Sequence, residues 1–353
     1  MSEAMGSIER VMATLSHSEP DHVPVYPILS GVTRNLVGAD YKTWATDAGV
    51  CTDAFVKAAR EFDIDCLVTL VDLSIECDAW GQEILYPENE AAHPNYNNCV
   101  IKEIEDYAKI EKVDYRTSKR MMFHIEVCKN LVEQVGQDKP IVAFVFGPLG
   151  VLSMLRHQQE MYMDLYDDRD AVKRAAAAIN DTLKDYVNAL IDTGVHAVMF
   201  DTLYSSGSIM SKAMWTEMEG GLVKELADIC HERKVAVMIH NCGQKIYFDA
   251  QIESMNPIAI SFLYPPDDCA DLAECKAKYG GKITLIGCVP PVMTVTATDE
   301  EWDAYCKEQI DIMGKGGGYM LATGCEYPAN APFDRARRMI DIAKTYGRYN
   351  KAP

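Results

Sequence analysis

Val235-Ala-Val-Met-Ile-His240-Asn241-Cys242-Gly243 is a short apolar run, rich in β-branched residues, that stops at a histidine. A cysteine and a glycine follow at once. The pattern predicts a buried strand whose last residues emerge into a loop bearing two metal-type ligands. Far downstream, Gly318-Tyr-Met-Leu-Ala-Thr-Gly324-Cys325-Glu326 repeats the plan, with a thiol at the strand exit. Eight such runs, at 23–29, 66–71, 141–146, 194–201, 235–240, 257–262, 282–287 and 318–321, alternate with helical stretches. Alternating strand and helix predicts a parallel sheet, and the count of eight predicts a closed (β/α)8 TIM barrel. An open doubly wound sheet is the alternative.

The helical stretches have their own signals. Val50, Phe55, Ala59 and Phe62 stand at helical spacing, so residues 43–62 read as one helix. A run of alanines at 175–178 favours helix over 168–192. Thr298-Asp-Glu-Glu301 is a capping-box pattern that starts another. Residues 7–15 form a helical extension ahead of the barrel. Residues 82–118, rich in Pro and Asn, read as an insertion with hairpin character after the second strand. The whole chain, 1–353, is expected to be one barrel domain.

Composition narrows the class. The chain has 353 residues, 48% of them hydrophobic, enough for a large core. A formal charge of −19 argues against nucleic acid and anionic membranes as partners. The 12 cysteines include no C-x-x-C pair, which argues against a disulfide framework or a zinc ribbon. No basic-apolar leader opens the chain, and the longest uncharged run, 141–155, is broken by Gly147, Pro148 and Gly150. A cytoplasmic enzyme is expected. No G-x-G-x-x-G follows the first strand, and Gly314-Lys-Gly-Gly-Gly318 precedes a strand, so it reads as a turn and not a phosphate cradle.

Polar residues collect at the strand exits, where a barrel places its active site. Asp72 and Glu76 follow the second strand, Asp201 the fourth, His240 and Cys242 the fifth, Cys325 the eighth. His240, Cys242 and Cys325 are candidate ligands for zinc with one position left open. The long gap between Cys242 and Cys325 carries no specificity, so a satisfied core histidine and two inert thiols remain the bland alternative. Asp201 and Glu76 are candidate catalytic carboxylates, or loop-holding groups. Asp72 is a candidate substrate anchor. Tyr26, Trp80, Tyr204 and Phe262 lie near strand ends and would line a mouth suited to a flat or aromatic ligand.

Several stretches resemble the uroporphyrinogen decarboxylase superfamily, and within it the zinc-dependent methyltransferases that work with corrinoid proteins. They are Glu19-Pro-Asp-His-Val-Pro24, Val145-Phe-Gly147-Pro148, Ile239-His240-Asn-Cys242-Gly243 and Gly324-Cys325-Glu326-Tyr-Pro-Ala-Asn330-Ala-Pro332. The resemblance implies a TIM barrel and zinc held by His240, Cys242 and Cys325. Decarboxylases of the superfamily carry an Arg-Gln-Ala-Gly-Arg-Tyr segment whose arginines bind substrate carboxylates; here the stretch is Ser30-Gly-Val-Thr-Arg34-Asn-Leu-Val, with one arginine. Methyltransferase relatives often show Gly-Asn-x-Asp-Pro after the seventh strand, where this chain has Gly287-Cys-Val-Pro-Pro291.

The implied activity is methyl transfer between a small molecule and the cobalt of a corrinoid. The small molecule is expected to be a methoxylated aromatic undergoing O-demethylation, or a thiol such as coenzyme M. None of the eight histidines sits in an Asp-x-His-x-x-Gly cobalt-ligating motif, so the corrinoid is expected on a separate partner protein. A metal-free decarboxylase or lyase using Asp72 or Asp201, and a non-catalytic corrinoid-protein binder, are the other classes.

Overall fold

A computed structural model describes residues 5–88 and 90–349. In chain order its strands are β1 (Leu67–Val68), β2 (Ile84–Leu85), β3 (His93–Pro94), β4 (Ile141–Phe146), β5 (Ala197–Asp201), β6 (Ala236–Asn241), β7 (Ala259–Phe262), β8 (Thr284–Val289) and β9 (Tyr319–Thr323). Seven of them form one parallel sheet in the order β1-β4-β5-β6-β7-β8-β9. Helices join successive strands, as parallel crossovers require. The curled sheet with its helical layer is a TIM-barrel-like fold.

The first run, 23–29, is expected as a regular strand but forms none. Pro24 and Pro27 have no N–H to give to a ladder. The segment still bridges the sheet's two edges. The Tyr26 N–H donates to the Leu321 carbonyl at 2.8 Å and Leu321 donates to the Pro24 carbonyl at 2.9 Å. On the other side Asp65 donates to the Val25 carbonyl at 3.0 Å.

Side chains alternate between two hydrophobic layers, as the pleat demands. Val68, Val142, Phe144, Ala197, Met199, Met238, Ala259, Ile286 and Met320 fill the barrel interior. Their neighbours Val145, Val198, Phe200, Val237, Ile239 and Ile260 pack against the helices. The N-terminal helix Ser7–Leu15 closes one end. Val11 joins the interior layer, and Arg10 pairs with Asp65 at 2.6 Å. Thr284, at the start of β8, donates from Oγ1 to the Thr14 carbonyl at 3.3 Å. The strands' N-terminal ends are therefore plugged, and the opposite end is the mouth.

The insertion is a β2–β3 hairpin followed by short 3-10 turns. The single helix expected over 43–62 is two, Tyr41–Thr46 and Ala48–Phe62. Asp47 lies in extended backbone between them and its side chain accepts from the Val50 N–H, which makes it an N-cap. Two helices, Pro148–Arg156 and Gln158–Asp167, precede the long one at Arg169–Asp192 and were not expected from the pattern. Gly316, Gly317 and Gly318 all take positive φ (79°, 76° and 65°), so this stretch is the turn into β9.

Candidate metal centre

Strand β6 delivers the first ligand. Ala236 and Met238 face the barrel interior, and two residues on, the period-2 pleat points His240 the same way. In the β5–β6 register His240 stands beside Asp201, and in the β6–β7 register beside Ser261. The His240 Nδ1 lies 3.0 Å from Ser261 Oγ. That contact fixes the ring and leaves Nε2 for a ligand. Phe144 packs beside the ring, with centroids 6.2 Å apart.

The second ligand depends on Asn241. Its Nδ2 donates to the Thr202 and Ser205 carbonyls at 2.7 and 3.2 Å, and its Oδ1 accepts from the Gly243 N–H at 2.9 Å. This clamps the turn that carries Cys242. Gly243 is required there, because a Cβ would meet Ser206 Oγ at 2.6 Å. The third ligand, Cys325, follows β9.

One donor atom each from His240, Cys242 and Cys325 lies within 4.8 Å of the others. Against Cys242, and buried, the Cys325 thiol is held neutral well above its usual range. Burial opposes protonation of His240, but Cys325 and Asp201 outweigh it and raise its pKa. Two sulfurs and an imidazole this close are relieved by a cation among them, and this N/S donor set suits zinc. The half-buried thiols leave one side of the cluster open to the mouth.

Four buried carboxyls surround this end of the barrel. Desolvation pushes Asp201 up to about 6, partly offset by His240. It pushes Glu76 up to about 8, although the Phe146 N–H donates to Glu76 Oε1 at 3.0 Å. Glu219 and Glu326 rise to about 7 for the same reason. Glu219 accepts from the Leu149 N–H at 2.9 Å and from Trp215 Nε1 at 2.8 Å. Asp201 Oδ1 and Glu326 Oε1, by contrast, are buried without a hydrogen-bond partner.

The other expected site residues divide. Asp72 is held by Arg120, whose Nη1 and Nη2 donate to its two oxygens at 2.9 and 2.5 Å; Ser74 adds a further donor. It is an internal ion pair and offers no free oxygen of that kind to a substrate. Phe262 corrects its expectation. Ser261 faces the interior, so Phe262 faces out, edge-on to Phe248 at 5.1 Å between centroids. Trp80 donates from Nε1 to the Glu111 carbonyl at 2.9 Å and ties down the insertion. Tyr204 is buried beside Tyr162. Tyr26 is inside the barrel, its hydroxyl without a partner.

Ser261, Asn241, Glu219 and Arg120 were missed from the sequence. Ser261 had a signal, a lone hydroxyl in the apolar run 257–262. Asn241, between two ligands at a strand exit, had another. Arg120 had none, since it lies on a helix 48 residues from Asp72; Glu219 had only Trp215, four residues before it, and its other partner Leu149 is 70 residues away.

Comparisons with known proteins bear on the family and the fold. A family model described as uroporphyrinogen decarboxylase (URO-D) matches residues 7–346. Uroporphyrinogen decarboxylase of Actinobacillus succinogenes is 20% identical over 364 residues, spanning 97% of this chain and 98% of its own. Methylcobamide:CoM methyltransferase MtaA of Methanosarcina barkeri is 21% identical over 223 residues, 63% of each protein. Among solved structures, a methyltransferase from Methanosarcina mazei superposes with a TM-score of 0.76 at 16% identity, over 97% of this chain and 99% of that one. At that identity the superposition establishes the fold.

Proposed function

The chain belongs to the uroporphyrinogen decarboxylase family, and from that premise we propose that it is a zinc-dependent methyltransferase. It moves a methyl group between a small molecule and the cobalt of a separate corrinoid protein. The observation that carries this reading is the convergence of His240, Cys242 and Cys325 within 4.8 Å at the barrel mouth. The methylcobamide methyltransferase relative supports it.

His240, Cys242 and Cys325 would hold zinc. Bound there, zinc supplies a Lewis acid with one position open to a substrate oxygen or sulfur. Ser261 keeps the His240 ring in place. Asp201, inward-facing and with a carboxyl near 6, holds or moves the proton. For a methoxylated aromatic, the ether C–O bond would break, the methyl carbon would bond to the partner's cobalt(I), which supplies the electron pair, and the phenolate oxygen would take a proton from the Asp201 carboxyl. For a thiol the flow would reverse: Asp201 takes the thiol proton, the sulfur bonds the methyl carbon, and the carbon–cobalt bond breaks with its electron pair left on the partner's cobalt. Glu76, held at the Phe146 N–H, is a positioning group on the same rim. No helix among the described residues is long and apolar enough to cross a membrane. Tyr264, Val292 and Val295 stand exposed on the loops after β7 and β8, where a partner would land.

A metal-free decarboxylase is the second reading, favoured by the name of the Actinobacillus relative. Metal analysis of protein purified without chelator separates the two. About one zinc per chain is expected, with the cobalt spectrum changing when methoxylated aromatics or thiols meet the matching corrinoid state. Zinc-free protein with full activity would overturn the proposal.

A further inference from the structure

We propose that the substrate presents an uncharged or cationic polar end bearing hydrogen-bond donors, and that carboxylates and sulfonates are rejected. The inference deepens the methyl-transfer reading and rests on it only for where the substrate sits.

Two acceptor atoms at the mouth want donors. Asp201 is 4% exposed, faces the barrel interior from the end of β5, and its Oδ1 has no partner. Glu326 follows Cys325 directly. Ser30 and the Gly31 backbone hold its carboxylate, yet Oε1 is buried without a partner. Buried acceptors are ordinarily satisfied, so two left open beside a ligand cluster point to a donor that arrives with a ligand.

The space beside Glu326 has the same sign. A hollow of about 350 Å³ reaches Glu326 and is walled by Glu90, Ala91, Val295, Pro328 and Ala331. Two of its lining residues are acidic and none is lysine or arginine. Its size and apolar walls suit a small molecule.

The neighbouring guanidiniums are already engaged. Arg120 donates to both Asp72 oxygens and to Ser74 Oγ. Arg34 is the lone arginine of the 30–37 stretch. It donates to the Gly31 and Ala329 carbonyls at 3.1 and 2.5 Å and to Asn330 Oδ1 at 2.9 Å, bracing the wall of the hollow. The charged end of an anion entering here would lose its hydration and gain no lysine or arginine in exchange. An ammonium or phenolic hydroxyl would supply the donors that Asp201 and Glu326 lack.

The test uses ligands matched in size and opposite in charge. In cobalt(II)-substituted protein, cysteamine, mercaptoethanol and mercaptoethanesulfonate report binding through the thiolate-to-cobalt absorption band. Cysteamine and mercaptoethanol should bind at least about tenfold more tightly than the sulfonate. Glu326→Gln should narrow the gap between cysteamine and the sulfonate. A second arm needs no cobalt: calorimetry of a methoxyphenol against a methoxybenzoate on protein as purified, with the same order expected. Equal or tighter binding of the anion in either arm overturns the inference. A missing cobalt band with the calorimetric preference intact would instead remove the methyl-transfer reading and leave this one standing.

Discussion

On the β1–β4 side of the mouth, Arg120 neutralises Asp72, the Phe146 N–H meets Glu76, and Trp215 and Leu149 meet Glu219. On the β5–β6–β9 side, two thiols and an imidazole crowd together and Asp201 Oδ1 and Glu326 Oε1 have no partner. Both sides carry buried polar groups at strand exits. They differ in whether the fold supplies partners to the carboxyls. Where it does, the group helps hold the barrel together; where it does not, we propose that a ligand brings the partner. Residue type alone does not separate the two, since Asp72 and Asp201 are both aspartates that follow a strand.

The widest separation between the sides should come from Cys325→Ser. It should abolish stoichiometric zinc and methyl transfer while the melting temperature of the zinc-free protein stays close to that of zinc-free wild type; metal analysis and a thermal melt check both. Retained zinc would show that the open side is not a metal centre. Arg120→Ala should do the reverse. It leaves Asp72 buried and uncompensated, at a cost of about 3–5 kcal/mol in denaturant unfolding. Zinc per folded chain should not change.

The pH dependence of stability tests the closed side again. Unfolded, Glu76 ionises from its ordinary 4.5; folded, it stays protonated until about 8. The folded carboxyl is raised, so its contribution is intact below the lower value and is lost as pH rises through that window. Asp72 and Arg120 are the charged groups nearest it. Glu76→Gln keeps an acceptor for the Phe146 N–H and should flatten the fall in melting temperature between about pH 5 and about pH 8. An unchanged profile would mean that Glu76 is ionised in the folded state.

Two smaller effects sharpen the open side. Ser261→Ala removes the contact to His240 Nδ1 and should weaken zinc about 10–100-fold in a chelator competition. Gly243→Ala forces a Cβ to 2.6 Å from Ser206 Oγ and 2.8 Å from Ser206 Cβ. It should cost about 1–3 kcal/mol and loosen zinc by shifting the Cys242 turn.

Much of the barrel was legible because each apolar run is bounded by turn residues and ends at a polar one. β4 to β9 of the main sheet all fall on expected runs, and the Thr298–Glu301 capping box starts its helix as read. The strand at 23–29 failed because its prolines carry no ladder donors, a rule visible in the sequence. Phe262 failed for a different reason. A strand buried on both faces is apolar at every position, so nothing local says which face looks inward. A slip of one residue exchanges the faces, and only the pairing of Ser261 with His240 shows that Phe262 looks out.

The sequence by itself determined the alternation of strand and helix, the donor types His240, Cys242 and Cys325, and the lone Arg34 where decarboxylases have two. The first two follow from local periodicity and side-chain chemistry, which do not depend on what is nearby in space; the third follows from the resemblance to the decarboxylases. Tertiary structure decided which carboxylates are satisfied, because the partners come from distant elements. Arg120 reaches Asp72 from a helix 48 residues on, and the Leu149 N–H reaches Glu219 across 70 residues of chain. Asp201 and Glu326 are marked only by the lack of such partners, and that becomes visible once the chain has closed around them.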